Sequence, residues 1–183
     1  TEKYAHVTYF LNGGVEGAAS GEDRILVPSR RDVATYALAP QMSAEQITDV
    51  VIEAIERRWF DFIVVNYANP DMVGHTGNWD AAVRAAEFID VCLGRLSRAA
   101  IGTDSPLGIT ADHGNIEQMR DADGEPQTMH TTSSVPFVVV DASRSGITLL
   151  NGELSDVAPT ICELLGIPPG PDMTGHSLIR ASR

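Results

Sequence analysis

The stretch FDFIVVNYANPDMVGHTGN, residues 60–78, decides the predicted fold, because an apolar run meets a polar, glycine-containing segment within it. The run at 61–67 is typical of a strand that is buried on both faces. Pro70 and the glycines after it predict a loop at the end of this strand, and the loop carries Asp71 and His75. Asp71 and His75 also have the spacing of neighbours on one helix face, but the proline and glycines favour the loop. Open α/β proteins bind their ligands at sheet ends of this kind.

Strands and helices alternate along the rest of the chain. Apolar residues at helical spacing predict helices with one buried face, and short apolar runs between turn residues predict strands. The predicted strands cover 4–11, 61–67, 106–111 and 135–140, and the predicted helices cover 42–60, 78–99 and 156–166. This alternation is typical of an α/β fold with a mainly parallel sheet and helices on both faces, and we expect one domain over residues 1–183.

The composition is that of an acidic globular protein. The chain has 183 residues, of which 43% are hydrophobic and 21% charged, and its formal net charge is −12. That charge argues against a surface for nucleic acids or anionic membranes, which needs concentrated Lys and Arg. The N-terminus lacks the layout of a secretory signal, and no apolar run approaches the roughly 20 residues that cross a bilayer. Cys92 and Cys162 lie in apolar helical patterns and are expected to be buried free thiols of a cytoplasmic protein.

Three predicted loops at strand ends carry aspartate and histidine side chains. The first holds Asp71 and His75, the second holds Asp112 and His113, and the third holds His130. Neutral imidazole and carboxylate together suit Mn²⁺, Zn²⁺, Fe²⁺ or Co²⁺ better than Ca²⁺ or Mg²⁺, which prefer oxygen ligands. An acidic chain repels anionic ligands unless positive charge is concentrated locally, and bound metal ions supply such charge.

Each of these motifs also has a purely structural explanation. An aspartate near glycine often belongs to a turn, and Asp112 has the position of a cap for a short helix starting at Asn115. A single histidine is more often a hydrogen-bonded polar residue than a metal ligand. Three of the five histidines nevertheless follow one pattern, at a strand end with an aspartate nearby. That coincidence favours a metal site.

Long, ordered motifs in the chain resemble a known family. The chain is similar, from Thr1 to about Ile179, to the C-terminal part of the cofactor-independent (2,3-bisphosphoglycerate-independent) phosphoglycerate mutases, within the alkaline-phosphatase-like superfamily. The motifs that carry the resemblance are TEKYAHVTYFLNGGVE, GEDRILVPS, NYANPDMVGHTGN, ITADHGNIEQM, HTTSSVPF and DVAPTICELLG.

The resemblance implies an isomerase activity in glycolysis and gluconeogenesis. Members of the family interconvert 2-phosphoglycerate and 3-phosphoglycerate through a transiently phosphorylated serine and two divalent metal ions. Manganese is the expected metal, and zinc, cobalt and iron are the alternatives. The resemblance further implies a small anionic substrate, no nucleic-acid or membrane partner, and a monomeric protein in the cytoplasm.

The resemblance also assigns individual residues. Asp71, His75 and His130 match the ligands of one metal, and Asp112 and His113 match two ligands of the second. In the family the second metal has a further aspartate ligand, near the N-terminus of the enzyme, and no segment of this chain resembles it.

One basic residue also has a counterpart in the family, whereas the catalytic serine has none. Lys3 matches a lysine that contacts the substrate phosphate. The nucleophilic serine and the domain that grips the substrate are not matched by any segment of this chain. We therefore expect an incomplete alkaline-phosphatase-like fold that lacks the N-terminal part and is inactive alone. The alternatives are a stand-alone metal-dependent phosphohydrolase and a non-catalytic domain that binds a metal or a partner.

Overall fold

A computed structural model describes residues 1–144 and 146–180 of the chain. Its α-helices are α1 (Ala44–Glu56), α2 (Asn69–Gly74), α3 (Trp79–Gly102) and α4 (Val157–Leu165). Its strands are β1 (Leu107–Thr110), β2 (Phe137–Val140), β3 (Thr148–Leu149) and β4 (Ile179–Arg180). Short 3₁₀ helices occur at Tyr4–Val7, Tyr36–Leu38, Ile116–Gln118 and Leu154–Asp156. The helices predicted at 42–60, 78–99 and 156–166 are therefore confirmed within a few residues at their ends.

The chain divides into two compact units. The first comprises Thr1–Ala99 with His113–Ser134, and the second comprises Ala100–Asp112 with the chain from Val135 onward. Four of the five predicted metal ligands belong to the first unit, and Asp112 belongs to the second. The expectation of one domain over residues 1–183 stays a prediction.

The strands of the described residues pair in antiparallel fashion. β1 pairs with β2, with Leu107 opposite Val140 and Thr110 opposite Phe137, and β3 pairs with β4. The strands predicted at 106–111 and 135–140 are thus confirmed. The mainly parallel sheet is not found within residues 1–144 and 146–180, because the ladders there join strands that run in opposite directions.

The apolar run at 61–67 belongs to no assigned strand or helix. It lines an open cavity of about 720 Å³, together with one side of α1 and part of the N-terminal segment. Phe62 and Val64 are 53% and 41% exposed, although their pattern predicts full burial. A strand exists only where a second backbone completes its hydrogen bonds, and the apolar pattern alone does not supply one.

The strand predicted at 4–11 is wrong. Tyr4–Val7 is a 3₁₀ helix, followed by turns. The backbone N–H of Phe10 donates to Ala5 O at 2.9 Å, and that of Asn12 donates to Thr8 O at 2.9 Å. These local bonds use the donors that a strand would offer to a neighbour, and they place Lys3 immediately before a helical turn.

The loop predicted around Asp71 and His75 is in fact a short helix. Pro70 stands in the first turn of α2, where a missing N–H leaves no helical hydrogen bond unmade. The helix is anchored by Asn69, which is buried and donates its side-chain N–H to Pro40 O at 2.7 Å. His75 is the C-cap residue directly after α2, and its backbone N–H donates to Asp71 O at 3.1 Å, so Asp71 and His75 have the helical spacing that the proline and glycines argue against.

A cluster of buried apolar residues packs α2 against its neighbours. It consists of Val73, Ala81, Ala82, Ala85 and Met119, and each is at most 3% exposed. Because the α3 residues are alanines, the two consecutive helices can pack closely, and Asn78 caps α3 by accepting the Ala81 N–H at 2.9 Å. This packing fixes the position of α2, and with it the positions of Asp71 and His75.

The helix of the second unit, α4, ends at the glycine that the sequence predicts. Gly166 ends α4 in the left-handed conformation, with a φ of 69°. Thr160 is buried on α4 and accepts the N–H of Leu178 at 2.9 Å.

Cys92 and Cys162 are buried free cysteines, which confirms the prediction made for these two thiols. Among the described residues, none of the helices combines the length and the apolar character that a bilayer crossing requires.

We expect Val73→Ala to lower the free energy of unfolding by about 2 kcal/mol, because Val73 is fully buried and its truncation leaves a cavity under α2. Val91→Ala is the matched control, since Val91 is 59% exposed on α3, and its effect should stay within about 0.5 kcal/mol. Urea denaturation followed by circular dichroism measures both values. Equal losses for the two variants would contradict the assignment of this core.

Candidate metal centre

Three side-chain atoms from two segments of the chain meet in the first unit. Asp71 Oδ1 lies 3.0 Å from His75 Nε2 and 2.9 Å from His130 Nε2. The two Nε2 atoms lie 3.1 Å apart. Asp71 and His75 come from one face of α2, and His130 comes from the loop before β2. The three atoms form a nearly equilateral triangle of possible metal ligands.

The size of this triangle fits a divalent ion. Ligand atoms that are about 2.1 Å from a shared cation and at right angles to one another lie about 3.0 Å apart, and tetrahedral ligands lie about 3.4 Å apart. The observed spacings of 2.9–3.1 Å agree with the right-angled case. Two imidazoles and one carboxylate therefore have the spacing of one face of a six-coordinate ion, a donor set that suits Mn²⁺, Fe²⁺, Co²⁺ or Zn²⁺.

A backbone carbonyl sets the tautomer of His75. His75 Nδ1 lies 2.7 Å from Thr128 O, and a carbonyl oxygen can only accept a hydrogen bond. Nδ1 therefore carries the proton in the neutral ring, and the lone pair of Nε2 points at Asp71 and His130. Metal-binding histidines usually have such an outer partner, which fixes both the ring and its tautomer.

One proton can satisfy the triangle. His75 Nε2 and Asp71 Oδ1 are both acceptors, so the hydrogen on His130 Nε2 donates to one or both of them. A cation that bonded all three atoms would take the place of this proton. The neutral His130 ring would keep its single hydrogen when Nε2 binds a metal, because that hydrogen would then lie on Nδ1.

The charge of Asp71 is held by its neighbours. Its second oxygen, Oδ2, lies 2.5 Å from the ammonium of Lys3, and Oδ1 accepts a hydrogen bond from Asn115 Nδ2 at 2.8 Å. Burial by itself raises the pKa of the Asp71 carboxyl, but the hydrogen bonds from Lys3 and Asn115, with attraction to Lys3 and His75, outweigh it and lower the pKa to about 2. The carboxylate is therefore ionised at neutral pH.

His113 lies beside this triangle. Its ring stacks on that of His130, with centroids 3.7 Å apart and planes inclined by 20°. One of its ligand atoms lies within 4.8 Å of ligand atoms from Asp71 and His130. Asp71 and His130 thus have two candidate third ligands, His75 in the triangle and His113 beside it. His113 Nδ1 lies 3.2 Å from Gly114 O, a carbonyl oxygen that can only accept, so Nδ1 is the donor in this contact.

The triangle does not include Asp112, His6 or His176. Asp112 is exposed and lies in the second unit, two residues after β1. It does not cap the 3₁₀ helix Ile116–Gln118, whose N-cap residue is Asn115. His6 makes an edge-to-face contact with Phe10. His176 is exposed in the second unit.

Two residues that contact the ligand-bearing segments were not predicted. Asn115 is buried and bonds to Asp71, and Glu117 accepts hydrogen bonds from the turns on either side of it. Both belong to the ADHGNIEQ stretch, of which only the aspartate and the histidine are assigned as metal ligands from the sequence. The signal was their position, two and four residues after His113, in a segment too polar for a core helix.

Comparison with known proteins agrees with this geometry. Residues 1–169 match a family model described as the Metalloenzyme superfamily. The chain is 53% identical over 182 residues to a protein of Syntrophotalea carbinolica, with 100% of this chain and 35% of the relative covered. It is 54% identical over 179 residues to a protein of Moorella thermoacetica, with 98% and 34% covered. Both relatives are named 2,3-bisphosphoglycerate-independent phosphoglycerate mutase, and the chain spans about a third of their length.

A solved structure shares the fold. The phosphoglycerate mutase of Leishmania mexicana, determined at low cobalt concentration, superposes with a TM-score of 0.87 and is 32% identical in sequence. The match covers 99% of this chain and 36% of the other. The similarity to the phosphoglycerate mutase fold that the motifs predict is thus confirmed. This match does not test the predicted parallel direction of the strands.

We expect Lys3→Met to raise the pKa of Asp71 well above 2, because burial then acts without the ammonium that opposes it. Since the folded pKa of Asp71 lies below its ordinary value of 3.8, the carboxylate stabilises the fold above about pH 4, and this contribution is lost as the pH falls toward 2. Carbon-13 NMR of the metal-free chain follows the carboxyl titration directly.

Arg57→Met is the control for this prediction, because it removes the same charge from an exposed ion pair with Glu53. The Asp71 titration should be unchanged in that variant. An unshifted Asp71 titration in Lys3→Met would show that the ion pair does not govern this carboxylate.

Proposed function

The chain belongs to the Metalloenzyme superfamily, and from this premise we propose that it is the metal-binding part of a 2,3-bisphosphoglycerate-independent phosphoglycerate mutase. The motif resemblance to that enzyme is confirmed by relatives more than 50% identical over almost the whole chain. The proposed reaction of the complete protein is the interconversion of 2-phosphoglycerate and 3-phosphoglycerate. The single observation that carries the proposal is the triangle of Asp71, His75 and His130, which has the size of a divalent metal site.

We assign Asp71, His75 and His130 as the ligands of one divalent ion, with manganese as the expected metal. The supporting facts are the three interatomic distances, the tautomer set on His75 by Thr128, and the ionised state of Asp71. Asp112 and His113 are proposed as ligands of a second ion from the motif resemblance. Their assignment rests on the sequence alone.

The chain's own residues then have defined tasks in phosphoryl transfer. When bound, the metal ions supply Lewis-acid stabilisation of the phosphoryl oxygens and of an activated nucleophile. Asp71, His75 and His130 fix the position of one ion. Lys3 is the only lysine of the chain, and its ammonium stands beside Asp71 Oδ2 as a point charge suited to a phosphate oxygen. Positive charge is thereby concentrated at one place in a chain of net charge −12.

The proposed partners follow from this reaction. The substrate is a small phosphorylated three-carbon acid, and the expected compartment is the cytoplasm, where glycolysis runs. We propose neither a nucleic-acid nor a membrane partner, since the acidic balance of the chain opposes both. A monomeric state is expected from the family.

Asp71→Ala combined with His130→Ala should abolish retention of Mn²⁺, because two of three ligands are lost. We expect a loss in affinity of at least about 100-fold, measured by isothermal titration calorimetry and by metal analysis after gel filtration. Asp172→Ala combined with His176→Ala is the control, since it removes the same two types of side chain from exposed positions in the other unit. Equal Mn²⁺ content in all three proteins would overturn the proposed ligands.

We expect the chain alone to show no mutase turnover, because no residue of it matches the serine that carries the phosphoryl group. An assay coupled to enolase, started with 3-phosphoglycerate and Mn²⁺, measures this. The full-length mutase of Moorella thermoacetica is the positive control. Turnover of the chain well above the background without protein would mean that it contains a complete active site.

A further inference from the structure

The carboxylate of Glu117 joins two segments that carry possible metal ligands. Its Oε2 accepts the backbone N–H of Asn115 at 2.6 Å, in the turn that begins with His113. Its Oε1 accepts the hydroxyl of Thr131, the residue that follows His130. One backbone hydrogen bond runs parallel to this link, from Thr131 N–H to Gly114 O at 2.9 Å. The two turns are thus joined by the Glu117 carboxylate, by one backbone bond and by the stacking of His113 on His130.

Asn115 carries this connection on to Asp71. Its backbone N–H is held by Glu117, while its side-chain Nδ2 donates to Asp71 Oδ1 at 2.8 Å. Asn115 is only 6% exposed and lies directly against α2, where a Cβ at Gly74 would overlap its carboxamide. The glycine therefore allows the close approach, and Asn115 can reach Asp71 only while its own backbone stays in place.

We propose that Glu117 is a positioning residue that holds the segments of Asp71, His113 and His130 at the spacing a metal ion needs. This inference rests on the proposed metal site, and it assigns Glu117 no contact with the metal or with substrate. The carboxylate acts through two hydrogen bonds, one toward Asn115 and Asp71 and one toward Thr131 and His130. Without it, the Thr131–Gly114 backbone bond and the stacking of His113 on His130 remain to join the two turns.

The ionised form of Glu117 is the form that this role requires. The hydrogen bond from Thr131, more than any other contact, lowers the pKa of Glu117, and further bonds from Ser133 and from backbone N–H groups act in the same direction. A carboxylate accepts at both oxygens, whereas a carboxamide accepts at only one. Glutamine at this position loses the charge, and it keeps the link to Thr131 only as a neutral bond in which its carboxamide nitrogen donates to the hydroxyl, whereas alanine keeps neither link.

The test is the affinity of the chain for Mn²⁺, with the electronic absorption of bound Co²⁺ as a report on ligand geometry. We expect Glu117→Gln to weaken Mn²⁺ binding about 10-fold and Glu117→Ala about 100-fold, the range found when outer partners of metal ligands are removed. The Co²⁺ absorption bands should change in both variants. A role confined to general stability would lower the thermal midpoint without producing this order of affinities or a changed spectrum.

Two further variants keep the test decisive if Glu117→Ala does not fold. Thr131→Val removes only the hydroxyl that donates to Glu117, and it should weaken Mn²⁺ binding less than Glu117→Ala does. Its effect should not add to that of Glu117→Gln, because both act on one link. Glu87→Gln is the matched control, since Glu87 is exposed on α3, and it should bind Mn²⁺ as the unmodified chain does.

The outcomes separate this inference from the proposed function. If the unmodified chain binds Mn²⁺ and Glu117→Gln and Thr131→Val bind it equally well, the positioning role is overturned and the metal site stands. If the unmodified chain binds no Mn²⁺, the metal site itself is overturned and the positioning role with it. Graded loss from Glu117 to glutamine to alanine, with altered Co²⁺ spectra, supports the inference.

Discussion

The ionised carboxylate of Asp71 is the constraint on which the candidate site depends. Burial disfavours its charge, yet Lys3, Asn115, His75 and His130 all direct polar atoms at its two oxygens. These partners come from four separate parts of the chain, so one small anion determines where each of those parts can lie. The buried charge is tolerated because Lys3, Asn115 and His130 can donate hydrogen bonds to the carboxylate.

The residue types of this site could be predicted from the sequence, but not the backbone that presents them. In the local pattern Pro70 favours a loop, although proline is also well accommodated in the first turn of a helix, where α2 places it. What favours the helix is distant in sequence, namely the bond from Asn69 to Pro40 and the packing of Val73 under α2. Local patterns contain neither contact.

The strands show even more clearly that local sequence patterns do not predict distant contacts. The runs that became β1 and β2 were predicted correctly because each has a partner along its full length. The runs at 4–11 and 61–67 have equally apolar patterns, but the first satisfies its backbone within 3₁₀ and turn bonds, and the second borders an open cavity. Strand formation is a property of pairs of segments, so composition can predict that a segment is suited to a sheet without predicting its partner or direction.

Sequence reasoning found the imidazoles and carboxylates by type, and it overlooked the groups that orient them. Thr128 enters the site only through its backbone carbonyl, and Glu117 through hydrogen bonds to residues that are not themselves ligands. Such contacts leave no trace in a list of metal-ligand residue types, yet they decide which ring nitrogen is free and how far apart the ligand atoms stand. Because the His75 tautomer and the spacing near 3.0 Å are already set by protein groups, a cation that replaced the shared proton would need little rearrangement of the ligands. The selectivity of the site for a divalent ion would then come from this fixed spacing as much as from the chemistry of the ligands.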